Sequence, residues 1–100
     1  SMNDLKEIVI AYEPVWAIGT GQTASIDQVE TAHYFVRNYL AKRYDAPTAN
    51  TLRLLYGGSV TPDNAGSLFR VKNVNAFLVG GASLSAEKFV RICHAREGNQ

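Results

Sequence analysis

The sequence predicts an α/β fold made of three parallel strand–helix units. Three observations carry that reading. Short apolar runs recur without polar alternation, as in parallel strands covered on both faces. A loop marked by glycine or proline and then a helical pattern follow each run. The connections are short, which makes the strands parallel and the crossovers right-handed.

The first strand is Ile8-Val9-Ile10-Ala11-Tyr12. After the loop from Pro14 to Gly21, Ser25 caps a helix, with Gln28 at the reciprocal capping-box position. Val29, Ala32, Val36 and Leu40 form its buried stripe; Glu30 and Arg37 fall off that stripe, and Pro47 marks the exit. The second strand is Leu52-Arg53-Leu54-Leu55-Tyr56, its turn Gly57-Gly58-Ser59, and Thr61-Pro62 opens a short helix to about Phe69. The third strand is Ala76-Phe77-Leu78-Val79, its turn Gly80-Gly81-Ala82-Ser83. Ser83 or Ser85 caps a last helix that carries Phe89, Ile92 and Cys93 inward.

Composition narrows the function classes. Ten basic residues balance nine acidic ones without a run of either sign, so neither nucleic acid nor an anionic membrane is forecast as partner. One cysteine, Cys93, excludes an internal disulfide and any multi-cysteine metal site. No apolar run approaches the ~18 residues of a membrane span. Ser1-Met2 reads as a tag scar, and residues 3–100 as one undivided unit. No signal or transit peptide is evident, and a cytoplasmic origin is the expectation. The 100 residues suffice for one modest core but not for a closed eight-unit α/β barrel, which needs roughly 250.

Candidate chemistry gathers at the C-terminal ends of the strands, the edge where parallel α/β folds bind ligands. Glu13 ends the first strand and is held extended by Pro14. Beside Tyr12 and an apolar loop containing Trp16, its carboxylate would be partly desolvated and so suited to general-base work; the alternative is a strand-end Glu paired with a nearby cation. The turns Gly57-Gly58-Ser59 and Gly80-Gly81-Ala82-Ser83 let backbone N–H groups approach an anion, phosphate above all; the alternative is tight turn geometry without a ligand. The loop Pro14, Val15, Trp16, Ala17, Ile18, Gly19, Thr20, Gly21 is apolar enough to be a water-excluding lid, or else packs permanently on the domain. Gly19 to Ala24 also fits the dinucleotide pattern G-x-G-x-x-A. Its context argues against that: five residues separate Glu13 from Gly19, and no acidic residue ends the next strand. His33 and His94 read as structural or solvated, Cys93 as a small core residue, and Arg53 as paired near the sheet's core.

Ala11-Tyr12-Glu13-Pro14-Val15-Trp16-Ala17-Ile18-Gly19-Thr20-Gly21 resembles the signature of the triosephosphate isomerase family. Leu55-Tyr56-Gly57-Gly58-Ser59-Val60 and Leu78-Val79-Gly80-Gly81-Ala82-Ser83-Leu84 resemble two further motifs of that family, in the same order. The resemblance runs from about Leu5 to Ala95 and implies a partial TIM (β/α)8 barrel, its last three units. It implies that Glu13 is the base moving a proton between two carbons of a triose phosphate through an enediolate. Residues Pro14 to Ala24 would be the lid, and the N–H groups of Gly19, Ser59, Gly80 and Gly81 would hold the phosphate. Tyr56 and Ser59 would latch the lid. No cofactor is implied, and the whole enzyme would be a homodimer. Gln22 and Asn75-Ala76 depart from the usual lysine and Asp-Gly, and Asn75-Ala76 bears on a turn.

The family also uses an Asn-x-Lys at the end of its first strand and a neutral His after its fourth; neither is present here. Loss of one preorganised donor costs roughly 10²–10³ in rate, so the 100 residues alone are expected to be inactive. They are expected to self-associate, because one sheet face and two strand edges are left unpaired, as an open sheet, a face-to-face sandwich or a rearranged barrel. A phosphate-binding α/β module and a purely structural assembly piece are the alternatives.

Overall fold

The computed structural model describes residues 7–14 and 24–97. Three parallel strands form one open sheet in the order β1-β2-β3: β1 is Val9–Tyr12, β2 Arg53–Tyr56 and β3 Ala76–Phe77. Helices α1 (Ile26–Arg43) and α2 (Ala46–Thr51) join β1 to β2, and α3 (Ala65–Phe69) joins β2 to β3. A single 3-10 turn, Gly81–Leu84, leads to α4 (Ala86–Glu97).

Local chemistry sets the helix ends. Ser25 Oγ accepts from the Gln28 N–H at 3.1 Å while Gln28 Oε1 accepts from the Ser25 N–H at 2.9 Å, the expected capping box. Thr61 and Asn64 make the same reciprocal pair at the entrance to α3. Ser85 is the residue that caps α4, through the Lys88 N–H. Pro47, however, does not end the first helix. The chain leaves α1 at Tyr44, and Asp45 caps a second helix with Pro47 in its first turn, where a missing N–H costs nothing. The Thr48 side chain and N–H hold the Asp45 carboxyl below its usual pKa.

Strand alternation then sorts the two faces of the sheet. Leu54 and Tyr56 of β2 are buried under the helices, whereas Arg53 is exposed on the opposite face. The register pairs Val9 with Arg53, Ala11 with Leu55 and Leu55 with Ala76, so these residues share the face that none of the described helices covers. The core lies on the helical side, in two clusters. One holds Val29, Tyr56, Leu68 and Ile92; the other holds Leu40, Ala49, Leu52 and Leu54.

Four residues lie elsewhere than the sequence suggests. Arg53 is not paired near the core: it is exposed, and no ion pair reaches it among the described residues. Cys93 and Phe89 are exposed as well, because only the Ile92 side of α4 meets the core. Arg37 is buried, 8% exposed, despite its charge. Its guanidinium donates to the carbonyls of Ala49 (2.6 Å) and Leu52, and to the side-chain oxygens of Asn73 (3.2 Å) and Asn75 (2.9 Å). Burial lowers its pKa, and four of its five guanidinium N–H groups meet acceptors. Asn73 alone among the described non-glycine residues has positive φ (75°), a conformation asparagine tolerates. Asn75 keeps the turn in place: its Oδ1 accepts from the Leu54 N–H at 2.8 Å and its N–H donates to the Leu54 carbonyl at 2.9 Å, extending the β2–β3 ladder.

His33 sits one turn before Arg37, 1% exposed, as a core histidine. Its Nδ1 lies 3.0 Å from the Asn73 carbonyl, which can only accept, so Nδ1 carries the proton of the neutral ring. Nε2 is buried without a hydrogen-bond partner among the described residues. The Tyr12 ring meets it edge-on at 5.9 Å, and the Tyr56 ring lies at 6.4 Å. Desolvation lowers the His33 pKa below 6.5, the Asn73 hydrogen bond opposes this, and Arg37 adds to the lowering.

The sign of the pH dependence follows. Above about pH 6.5 His33 is neutral in both states, and its contribution is fully present. As pH falls from 6.5 toward the lowered folded value, the unfolded chain takes up a proton that the folded chain resists, and stability is lost. Urea melts between about pH 8 and about pH 5 should therefore show a midpoint that falls on acidification, with a shallower fall in His33→Gln. A midpoint that rises on acidification, or an unchanged slope in the variant, contradicts the assignment.

Candidate active site

The C-terminal edge of the sheet brings several of the candidate residues together. Tyr12 pairs with Tyr56, so the next residues, Glu13 and Gly57, stand opposite one another. The Gly57 N–H donates to the Tyr12 carbonyl at 2.8 Å, and the Leu78 N–H to the Tyr56 carbonyl at 3.0 Å. The ladder thus continues one step beyond each strand, up to the two glycine turns. The Gly57 turn and the Gly80 turn are neighbours because β2 and β3 are neighbours.

Glu13 is exposed and lies on the uncovered face. Its side chain folds across Gly57: a Cβ at Gly57 would stand 2.8 Å from Glu13 Cγ and 3.4 Å from Oε1, with Leu78 Cβ at 3.5 Å. Glycine is thus required for the carboxylate to lie where it does. The described residues do not desolvate Glu13 as the sequence suggested; Pro14 behind it is buried, and the apolar stretch of the loop lies outside the described residues. That stretch includes Val15, Trp16, Ala17, Ile18, Gly19, Thr20 and Gly21.

Tyr56 is fully buried. Desolvation raises its pKa, the facing Ala24 backbone draws it back down, and Tyr12 adds to the rise. The approach to Ala24 falls short of a hydrogen bond, so the hydroxyl has no partner among the described residues. Ala24, the last residue of the candidate lid, is itself 4% exposed and part of the core. A side chain at Gly58 would collide with the Tyr56 hydroxyl.

Ser59 is half-buried, and its carbonyl accepts from Asn64 Nδ2 at 2.9 Å. Gly80 and Gly81 are exposed, with open space where a Cβ would stand. The Gly80 carbonyl is tied back by the Ser83 N–H (2.9 Å) and Ser83 Oγ (2.6 Å). Gly81 opens the 3-10 turn, so its N–H has no partner within it. A cavity of about 350 Å³ is lined by Asp63, Gly81, Lys88 and Arg91. Among the described residues no three His, Cys, Asp or Glu side chains gather as a metal site would need, and no helix is long and apolar enough to cross a membrane.

Two features escaped the sequence reading. Gly57 looked like part of an anion cradle, yet its clearest contact is with Glu13; the register of Tyr12 and Tyr56 was the signal for it. Ala24 anchors the far end of the loop through its burial, which its small side chain alone does not announce.

Comparison with known proteins converges on one family. The triosephosphate isomerase family model matches residues 1–96. Curated relatives include the triosephosphate isomerases of Chlorobium phaeovibrioides, 52% identical over 92% of this chain, and Geotalea uraniireducens, 50% identical over 95%. That of Alcanivorax borkumensis is 54% identical over 89% of this chain. The chain spans only 37%, 38% and 36% of those three proteins, in that order, and its open sheet of three parallel strands is accordingly part of a (β/α)8 barrel. The chain belongs to the triosephosphate isomerase family.

Proposed function

We propose that this chain carries the base, the lid and the phosphate grip of a triosephosphate isomerase, which interconverts dihydroxyacetone phosphate and glyceraldehyde 3-phosphate. The observation that carries the reading is the Glu13 carboxylate laid across Gly57, on the same sheet edge as both glycine turns. In this reading Glu13 takes a proton from one substrate carbon, the enediolate forms, and Glu13 returns the proton to the adjacent carbon. The N–H groups of Gly19, Ser59, Gly80 and Gly81 hold the phosphate, which fixes the reacting carbons against the carboxylate. Tyr56 and Ser59 latch the lid; the Ala24 backbone facing the Tyr56 hydroxyl supports the first of these. No cofactor takes part.

The electrophile and the substrate lysine have no counterpart in these 100 residues. The chain alone is therefore inactive, and the uncovered face and free strand edges favour self-association. The assembled enzyme is a homodimer. The cavity beside Gly81, Lys88 and Arg91 favours a second reading, in which the isolated chain retains weak anion binding without turnover.

Two experiments test the proposal. An isomerase assay of the chain alone should give no turnover. Mixed with the complementary five strand–helix units of a relative, it should give turnover that Glu13→Ala abolishes. Turnover by the chain alone, or a mixture indifferent to Glu13→Ala, refutes the assignment. In the same mixture Gly57→Ala should push Glu13 aside and lower kcat by roughly 10–100-fold with KM nearly unchanged, since a misplacement of about 1 Å can cost that much. An unaltered kcat would show that Gly57 does not position the base.

A further inference from the structure

The uncovered face of the sheet has a charge pattern as well as an apolar centre. Val9, Ala11, Leu55, Ala76 and Leu78 supply the apolar part, with Val9 57% and Leu78 47% exposed. Across 9–13, 53–57 and 76–78 the only charged residues are Arg53 and Glu13. Both lie on the line of the central strand: Arg53 begins β2, and the Glu13 carboxylate lies over Gly57 just past its end. The two positions are four residues apart, about 13 Å along a strand, and Leu55 stands midway.

This spacing decides how two such faces can meet. Facing sheets stand about 10 Å apart, a gap that an arginine and a glutamate reaching toward each other can bridge. If two copies stack with strands running the same way, Arg53 faces Arg53 and Glu13 faces Glu13. If the strands run oppositely about a two-fold axis over Leu55, each Arg53 faces the partner's Glu13, twice over, as a self-complementary interface requires. The arginine fork suits a carboxylate, and the apolar residues between the two pairs lose water together.

We propose that two copies of this chain pack sheet against sheet through this face, strands antiparallel, with Leu55 at the two-fold axis and each Arg53 paired with the partner's Glu13. The proposal rests on the reading that the isolated chain self-associates, and it names the surface and the geometry. It also means that the dimer occupies Glu13, the residue read above as the base, and so closes that site.

Sedimentation equilibrium tests it with the chain as it stands and with Arg53→Glu, Glu13→Arg and the double exchange. The unmodified chain should be a dimer. Each single exchange sets like charges against each other and should weaken the dimer at least about tenfold; the double exchange restores opposite charges and should return it to within a few-fold. Arg53 and Glu13 are exposed, so far-UV circular dichroism should be unchanged. Leu55→Lys, at the axis, provides an independent variant and should abolish the dimer. A monomeric unmodified chain overturns both the self-association reading and this geometry. A dimer indifferent to the single exchanges and to Leu55→Lys overturns this geometry alone and points to pairing through the strand edges. A double exchange as weak as the single ones overturns the ion pairing.

Discussion

The guanidinium of Arg37 is the point on which the rest of the chain depends. It projects from the middle of α1 and donates to the Ala49 and Leu52 carbonyls at the end of α2, and to Asn73 and Asn75 just before β3. One side chain thus ties the long helix to both connections that feed the sheet. No carboxylate takes part; every partner is a neutral oxygen. A buried cation is tolerable on these terms only if it is well hydrogen-bonded, and four of its five N–H groups meet acceptors. The same constraint explains the left-handed turn at Asn73, which presents its side-chain oxygen to Arg37 and its carbonyl to His33.

From that tie the site follows. Asn75 receives Arg37 and also accepts from the Leu54 N–H, so the position of β3 against β2 is coupled to the helix layer. The register of β1 on β2 then places Glu13 opposite Gly57, and that of β3 on β2 places the Gly80 turn beside the Gly57 turn. The carboxylate lies on the exposed face while Tyr56, on the other face of the same sheet, points into the core beside Ala24. Strand alternation is what puts the Glu13 carboxylate on the exposed face and the Tyr56 ring in the core.

Much of this was legible in the residues, and the failures share a cause. The three strands and the Ser25–Gln28 box are local patterns, and local patterns read correctly; Thr61 pairs with Asn64, but the helix starts at Ala65 and not at Pro62. Arg37 falls outside the buried stripe on a helical wheel, which cannot see acceptors supplied by Asn73 and Asn75 far along the chain. Phe89 and Cys93 were placed inside because an apolar helix face is visible in sequence, whereas what covers it is not. Pro47 reads as a helix end in sequence because proline both stops a helix and starts one, and only the Asp45 cap tells which. The candidate site was legible in its residue types; the crossing of Glu13 over Gly57 needed the strand register.

The central claim is that the edge carrying Glu13 and the two glycine turns grips a phosphate. Backbone amide NMR during a titration with phosphoglycolate addresses it most directly, because it reads binding residue by residue without turnover. The amides of Ser59, Gly80 and Gly81 should shift together and saturate at millimolar ligand, with those on the outer face of α1 unmoved. Shifts confined to α1, or none at these three amides, would contradict the account.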